Sequence, residues 1–204
     1  MEIIEYKRAV KHFLQNDVLI HNLMSQYGAI ELKKGRNYFK ALTTSIIGQQ
    51  LSVYSARAII KRFDNHFNGK ITPENITDTD FDILRSLGLS NAKVKYIKDL
   101  AEKIISKEIT LNGISKKEDS EILTELTKVK GIGSWTVHMF LIFVLGRKNV
   151  LPDGDLGIKK AIMLNYNLKN LPTSEEVVKI SKNKNWEPYN SYASLYLWKS
   201  IDGE

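Results

Sequence analysis

The sequence predicts an all-α protein. Apolar residues recur every three or four positions along most of the chain, alternating β-branched runs are few, and helix-capping residues stand ahead of the apolar stretches. At 204 residues the chain is long enough for one sizeable core or for two small lobes.

The first clear helix follows Ser52, which stands where an N-cap is needed. Gly69 ends this helix, and Thr72 with Pro73 begins a short helical turn. Residues 80–87 form a further predicted helix. The apolar stripe of the first helix consists of Val53, Ala56, Ile60, Phe63 and Phe67.

A longer helix is predicted after Gly88, with Ser90 as its cap. Its apolar stripe runs from Val94 to Ile105, and we expect its lysine face to be solvated. Residues 106–120 are polar and are predicted to form a connection, before residues 121–126 resume a helix. The lysines of that face are Lys93, Lys95, Lys98 and Lys103.

The composition excludes several kinds of chemistry. The chain contains no cysteine, which rules out disulfides, thiolate zinc sites, iron–sulfur clusters and cysteine nucleophiles. Its four histidines lack the i, i+4 pairing of a metal site, so no metalloenzyme is predicted. The net charge of +7 suits a polyanionic partner. Neither a membrane span nor a secretory signal is readable, so we expect an intracellular protein without membrane contact.

A candidate anion site precedes a strongly apolar helix. Glycines let the backbone approach another chain closely, and N–H groups at a helix N-terminus bind anions, so a DNA phosphate is a candidate ligand. A lone Gly-x-Gly is more simply explained as a helix–turn–helix corner. The residues of this hairpin are Lys130, Gly131, Ile132, Gly133 and Ser134.

Asp155 follows 22 residues after Gly133, in the stretch VLPDGDLGIKKA. This order of hairpin, apolar helix, Gly/Pro-rich loop and aspartate resembles the helix-hairpin-helix (HhH-GPD) DNA glycosylase superfamily. The stretches SIIGQQLSVYSARAI, GLSNAKVKYIKDLA and WEPYNSYASLYLW are similar to its alkyl-base branch, the AlkA and yeast 3-methyladenine glycosylase (DNA-3-methyladenine glycosylase II) group. The resemblance runs from about Leu42 to Trp198.

The resemblance implies two helical lobes with an active cleft between them. Residues 36–150 would form the lobe with the wedge loop and the hairpin, and residues 1–35 with 151–204 the second lobe. The implied function is base excision repair. The enzyme would flip alkylated purines, of the 3-methyladenine and 7-methylguanine type, out of double-stranded DNA and hydrolyse their N-glycosidic bond.

Asp155 is the candidate catalytic residue. The family pattern Asp-x-x-aliphatic-x-basic selects it over Asp153, since Ile158 and Lys160 follow at the matching positions. Taken alone, Asp155 is more simply the N-cap of a helix that begins near Leu156, and both roles can coexist because a helix N-terminus stabilises an anion. A fixed carboxylate beside C1′ stabilises positive charge on the deoxyribose and can orient the attacking water.

Four residues are matched to the base pocket. The resemblance places Trp135, Met139, Tyr192 and Trp198 around an extruded cationic base, for which aromatic faces suit through stacking and cation–π attraction. Ordinary core packing is the alternative for Tyr192 and for both tryptophans. Bifunctional lyases of the superfamily carry a lysine at the position of Trp135, so the resemblance implies a monofunctional enzyme without AP-lyase activity.

Gln49, Gln50 and Leu51 resemble the intercalating wedge that fills the gap left by an extruded base. Gln50 stands at the wedge position of AlkA, and either Gln50 or Leu51 would enter the gap. A polar turn between two helices is the alternative. The C-terminal motif departs from the family, since Tyr189 and Asn190 replace tryptophan and arginine, which puts the contact of that arginine in doubt.

No cofactor is required by this chemistry. The resemblance suggests a structural Na⁺ or K⁺ held at the hairpin by the backbone carbonyls of Thr127, Val129 and Ile132. The expected partner is double-stranded DNA containing a damaged base, and the expected state is a monomer in the cytoplasm or nucleoid of a prokaryote or the nucleus of a eukaryote.

Two rival hypotheses explain part of the sequence. One is a non-catalytic helix-hairpin-helix module that binds DNA or senses damage, which accounts for the hairpin and the net charge but not for Asp155. The other is a glycosylase for neutral lesions such as hypoxanthine or ethenoadenine, because the selectivity of a pocket depends on its shape.

Overall fold

The computed structural model describes residues 2–201, with side chains from Ile4 onward. These residues form helices and no β-strand, so the all-α prediction is confirmed. None of the helices in this range combines the length and the apolar character needed to cross a membrane. The α-helices are α1 (Glu2–Asn16), α2 (Val18–Tyr27), α3 (Tyr38–Gly48), α4 (Val53–His66), α5 (Pro73–Asp78), α6 (Phe81–Ser86), α7 (Asn91–Ile105), α8 (Asp119–Leu126), α9 (Ser134–Phe143), α10 (Leu156–Asn165), α11 (Ser174–Asn183) and α12 (Asn190–Ile201), and a 3₁₀ turn covers Ile114–Lys116.

The chain forms two compact units. The terminal unit contains the described residues up to Lys34 and those from Leu141 onward, and the central unit contains Gly35–Phe140. Residues 141–150, predicted to belong with the hairpin, lie in the terminal unit. The end of this segment is attached to Ser191 of α12, whose hydroxyl accepts a hydrogen bond from Val150 N at 2.9 Å and donates to Arg147 O at 2.7 Å. The predicted position of the active cleft stays a prediction.

Helices of the central unit begin at the predicted caps. The hydroxyl of Ser52 accepts a hydrogen bond from Ser55 N at 3.2 Å, and that of Ser90 accepts one from Lys93 N at 3.3 Å. Helix α8 begins at Asp119, two residues before the predicted start, because a capping box between Glu118 and Glu121 satisfies its first turn.

The solvated lysine face predicted for α7 is only partly formed, since Lys95 is exposed but other lysines of this face have partners within the protein. The ammonium of Lys98 donates to the carbonyls at the end of α5, and Lys103 pairs with Glu108 at 2.6 Å. The last carbonyls of a helix have no partner within the helix, so Lys98 supplies one. The three acceptors of Lys98 are Ile76 O at 3.3 Å, Thr77 O at 3.1 Å and Thr79 O at 2.8 Å.

The core of the terminal unit contains a carboxylate in a structural role. Asp17 is 3% exposed and caps α2 by accepting from Leu19 N at 3.2 Å. Its other oxygen accepts from Tyr166 Oη at 2.6 Å and from Trp186 Nε1 at 2.8 Å. Burial, with the charge of Asp17, raises the pKa of Tyr166 far above its usual value, so the phenol stays a donor.

Candidate active site

Asp155 is fixed at the N-terminus of α10. Its side chain is almost fully buried, at 9% exposure, and its Oδ1 accepts hydrogen bonds from Ile158 N and from Trp198 Nε1, both at 2.8 Å. Hydrogen bonds to a carboxylate are charge-assisted, and the first turn of a helix stabilises negative charge. The two donors therefore set the orientation of the carboxylate, and the capping prediction is confirmed.

Gly157 lets Trp198 reach this carboxylate. A Cβ atom at Gly157 would lie 3.0 Å from Asp155 Oδ1, 3.1 Å from Trp198 Cδ1 and 3.2 Å from Trp198 Nε1. The indole of Trp198 also stacks on Phe143, with ring centroids 5.9 Å apart and an interplanar angle of 29°. Phe143 is 53% exposed, so this stack presents an aromatic face at the surface of the terminal unit.

The loop that leads to Asp155 is attached to α12. The backbone N–H of Ser191 donates to Lys148 O at 3.1 Å, in addition to the bonds of its hydroxyl with Val150 and Arg147. Asp155 N then donates to Pro152 O at 2.9 Å and closes the last turn before α10. The serine of the C-terminal motif thus positions the segment that carries the carboxylate.

The two glycines of the hairpin have different structural roles. Gly131 has a φ of 81°, and a Cβ there would lie 2.1 Å from the ring of Tyr96, so glycine is required by packing within the central unit. A Cβ at Gly133 would meet nothing within 4 Å. Only Gly133 therefore leaves open space for a ligand, and the phosphate site stays a prediction.

Hydrogen bonds within the central unit hold the rest of the hairpin. Lys130 N donates to Asp99 Oδ2 at 2.8 Å, and Ile132 N donates to Val129 O at 3.1 Å. A carbonyl oxygen has two lone pairs, so the bond at Val129 is compatible with the predicted cation. The three carbonyls, including that of Thr127, stay a predicted cation site.

The predicted wedge residues form the turn between α3 and α4. Gln50 is exposed with a φ of 56°, and Leu51 is 38% exposed. Gln49 differs, because its side-chain amide donates to Gly131 O at 2.8 Å and to Thr136 Oγ1 at 3.3 Å. The structure therefore ties the wedge turn to the hairpin.

A cleft of about 680 Å³ lies in the central unit beside this turn. Trp135 is 45% exposed in it, and Met139, one helical turn further along α9, is half-buried. The wedge turn, the hairpin and Trp135 are thereby brought together. The cleft is lined by Ser45, Gly48, Gln49, Gln50, Leu51, Gly131, Trp135 and Thr136.

Comparison with known proteins identifies the family. Residues 43–188 match the family described as HhH-GPD superfamily base excision DNA repair protein. The chain belongs to the HhH-GPD superfamily. The match covers more than half of the described residues, and it includes the wedge turn, the hairpin and Asp155.

Relatives of this HhH-GPD protein are named as glycosylases. DNA-3-methyladenine glycosylase 1 of Schizosaccharomyces pombe is 36% identical over 181 residues, which cover 87% of this chain and 78% of that protein. The solved structure of a 3-methyladenine DNA glycosylase from the same organism, in complex with abasic DNA, has a TM-score of 0.84 and 33% identity over 96% of this chain and 97% of that one. A DNA-3-methyladenine glycosidase of Bacillus halodurans has a TM-score of 0.82 and 32% identity, covering 94% of this chain and 88% of that one.

Two residues of the C-terminal motif have structural places in this HhH-GPD protein. Tyr192 is 2% exposed and packs edge-on against Tyr189, with ring centroids 6.0 Å apart. Asn190, which stands where arginine is common, accepts a hydrogen bond from Ser181 Oγ at 2.6 Å and donates to Asn149 Oδ1 at 2.8 Å. The asparagine therefore joins α11, α12 and the loop before Asp155.

Three residues that support predicted site residues within their own unit were not predicted from the sequence. Lys93 donates to Ile47 O and to Gln49 O, both at 2.8 Å, and Gly157 and Phe143 frame Trp198. Gly157 could have been noticed in the sequence, because glycine within a helix is unfavourable by about 1 kcal/mol relative to alanine. Its presence there indicates a close contact or a functional constraint. Lys93 could not have been noticed in this way, because one lysine of a helix looks like another in sequence.

Proposed function

We propose that this protein is a monofunctional DNA glycosylase that removes alkylated purines, of the 3-methyladenine and 7-methylguanine type, from double-stranded DNA. The observation that carries the proposal is the nearly buried carboxylate of Asp155, held by Ile158 N and Trp198 Nε1. The names of the relatives in the same family support this substrate class.

Asp155 acts on the sugar in this proposal. Cleavage of the N-glycosidic bond builds positive charge at C1′, and a carboxylate that is already oriented stabilises that charge without reorganisation. The same carboxylate orients or deprotonates the water that completes hydrolysis. An alkylated purine is cationic before it leaves, so a second catalytic acid is not needed.

The base is bound by aromatic side chains. Trp135 offers an exposed ring beside the wedge turn, and Trp198 offers a ring whose position is fixed by Asp155 and Phe143. Stacking and cation–π attraction both favour a cationic base over a neutral one. Met139, which is half-buried on the same helix as Trp135, is the further proposed lining residue of the central unit. Tyr192, the remaining candidate, is 2% exposed and packs in the core of the terminal unit.

The product is an intact abasic site. A lyase needs an amine that attacks C1′, and the indole of Trp135 supplies no such nucleophile at the position where bifunctional relatives carry lysine. DNA binding itself depends on phosphate contacts at Gly133 and Ser134 and on the positive net charge, so affinity falls steeply with salt. One copy of the chain suffices for these contacts, and we assign a monomer.

The test measures free bases released from a panel of duplexes that each carry one lesion, together with the state of the strand. We expect release of 3-methyladenine and 7-methylguanine, an abasic strand that breaks only after alkali, and no adduct trapped by borohydride. Release of hypoxanthine or ethenoadenine alone would favour the neutral-lesion hypothesis. DNA binding without any released base would favour the non-catalytic module.

A further inference from the structure

The turn between α3 and α4 places two side chains in solvent. Gln50 adopts a φ of 56°, and both Gln50 and Leu51 are exposed. A positive φ in a residue other than glycine persists where the surrounding structure maintains it. The turn is therefore held by its neighbours, and two of them can be named.

Lys93 holds the backbone of the turn. From the first turn of α7, its ammonium donates to Ile47 O and to Gln49 O, each at 2.8 Å. These carbonyls belong to the C-terminal end of α3, where the helix dipole favours a cation. Burial disfavours the charged form of Lys93 and lowers its pKa. The two hydrogen bonds hold the ammonium in this partly buried position.

Gln49 holds the turn to the hairpin. Its amide donates to Gly131 O in the hairpin and to Thr136 Oγ1 in the first turn of α9. An amide that is engaged in this way is not available to fill a gap in DNA. Gln50 and Leu51 are left for that role.

A side chain that enters a base stack needs a stiff support. Extruding a paired base consumes free energy, and the filled gap returns part of it only if the side chain stays inserted. A turn that gives way would lose this benefit. Functional side chains are held within a fraction of an ångström by the residues that pack behind them.

We propose that Lys93 and Gln49 are positioning residues that brace the wedge turn against the hairpin, so that the inserted side chain and the gripped phosphate keep a fixed register. The proposal rests on the proposed function, since a filled gap is needed only by a protein that extrudes a base. It assigns neither residue to the chemistry at C1′.

The test compares single-turnover release of 7-methylguanine from two duplexes. In one the lesion is opposite cytosine, and in the other it is opposite a tetrahydrofuran abasic analogue, where less pairing energy opposes extrusion. Lys93→Met and Gln49→Met keep side-chain length and remove the donors. We expect each to slow the paired substrate about tenfold and the unpaired substrate less than about threefold. Lys93→Arg, which keeps donors and charge, is expected to restore most of the paired rate.

Lys98→Met is the matched control. Lys98 lies on the same helix and also donates to carbonyls at a helix end, but those carbonyls belong to α5. We expect this variant to unfold at a lower temperature and to keep the ratio of paired to unpaired rates within about twofold of the parent. If Lys93→Met acted through lost stability alone, Lys98→Met would change the ratio of paired to unpaired rates by a similar factor.

The brace is overturned if Lys93→Met and Gln49→Met leave the paired rate unchanged, or if they slow both substrates by the same factor. A parent protein that releases no base contradicts the proposed function instead. In that case the insertion of the wedge side chain is measured by the fluorescence of 2-aminopurine placed beside an abasic analogue. The parent should raise the fluorescence at full occupancy and Lys93→Met should not, whereas an equal rise with both proteins would overturn the brace.

Discussion

Trp198 Nε1 donates a hydrogen bond to Asp155 Oδ1 at 2.8 Å, and this bond joins the last helix of the chain to the cap of α10. The same indole stacks on Phe143. One side chain thus orients the carboxylate and presents an aromatic face, so that in the proposed function catalysis and base binding depend on a shared residue.

Trp198→Phe separates these two roles. The phenyl ring keeps a face to stack on Phe143 but cannot donate to Asp155, so we expect the single-turnover rate to fall about 10- to 100-fold, the loss expected for a hydrogen bond to a charged group. Affinity for abasic DNA should change less than about threefold. Trp186→Phe removes an equivalent bond to Asp17 and serves as the control, with an unchanged rate and a lower melting temperature. A Trp198→Phe enzyme with the parent's rate would show that the bond is dispensable.

Gly157→Ala tests the fit between α10 and Trp198. The added methyl group would lie about 3 Å from both partners of the hydrogen bond, so one of them must move. We expect excision to slow at least about tenfold while the helix gains propensity, so stability should change little. Gly154→Ala is the matched control, because a Cβ there would meet nothing within 4 Å. Equal rates for the two variants would contradict the account of Gly157.

Gly131→Ala and Gly133→Ala should behave differently, although the two glycines are two positions apart. At Gly131 the methyl group would collide with the ring of Tyr96 at a positive φ, so we expect the free energy of unfolding to fall by at least about 2 kcal/mol. Gly133→Ala should fold like the parent and bind duplex DNA about three- to tenfold more weakly. Denaturant unfolding and fluorescence anisotropy measure the two effects. Unchanged DNA binding by Gly133→Ala would remove the hairpin from the DNA interface.

Asp17→Asn distinguishes a structural carboxylate from a catalytic one. Asparagine still caps a helix but offers one acceptor oxygen where Tyr166 and Trp186 now meet a carboxylate, so we expect the free energy of unfolding to fall by about 1–3 kcal/mol. At temperatures where the variant is folded, single-turnover excision should equal that of the parent. A rate that falls while stability stays unchanged would give Asp17 a place in the chemistry.

Local signals explain why so much of the fold could be predicted. Ser52, Ser90 and Asp155 each stand directly before an apolar period, and a side-chain oxygen in that position satisfies the first N–H groups of the helix that follows. The start of α8 was predicted two residues late, because its capping box uses Glu118 rather than a hydroxyl residue. The boundaries at Ser52, Ser90 and Asp155 depend only on neighbouring residues, so they could be predicted from the sequence.

The supports of the site depend on contacts between residues far apart in the chain. Lys93 and Lys98 are both lysines of α7, yet the ammonium of Lys93 donates to carbonyls at the end of α3 and that of Lys98 to carbonyls at the end of α5. Gly131 stays a predicted phosphate contact, and its packing against the ring of Tyr96 is a second role that the sequence did not reveal. These partners are fixed by tertiary packing, which no local pattern encodes.

In the proposed function the carboxylate of Asp155 stabilises the developing charge at C1′, and the Asp155→Asn variant isolates this role. Asparagine keeps the cap and the size of the side chain but removes the negative charge. With 7-methylguanine in duplex DNA, we expect a single-turnover rate reduced by a factor of about 100 or more, with affinity for abasic DNA within about threefold of the parent. A rate within a few-fold of the parent, in a variant that folds and binds DNA, would contradict it.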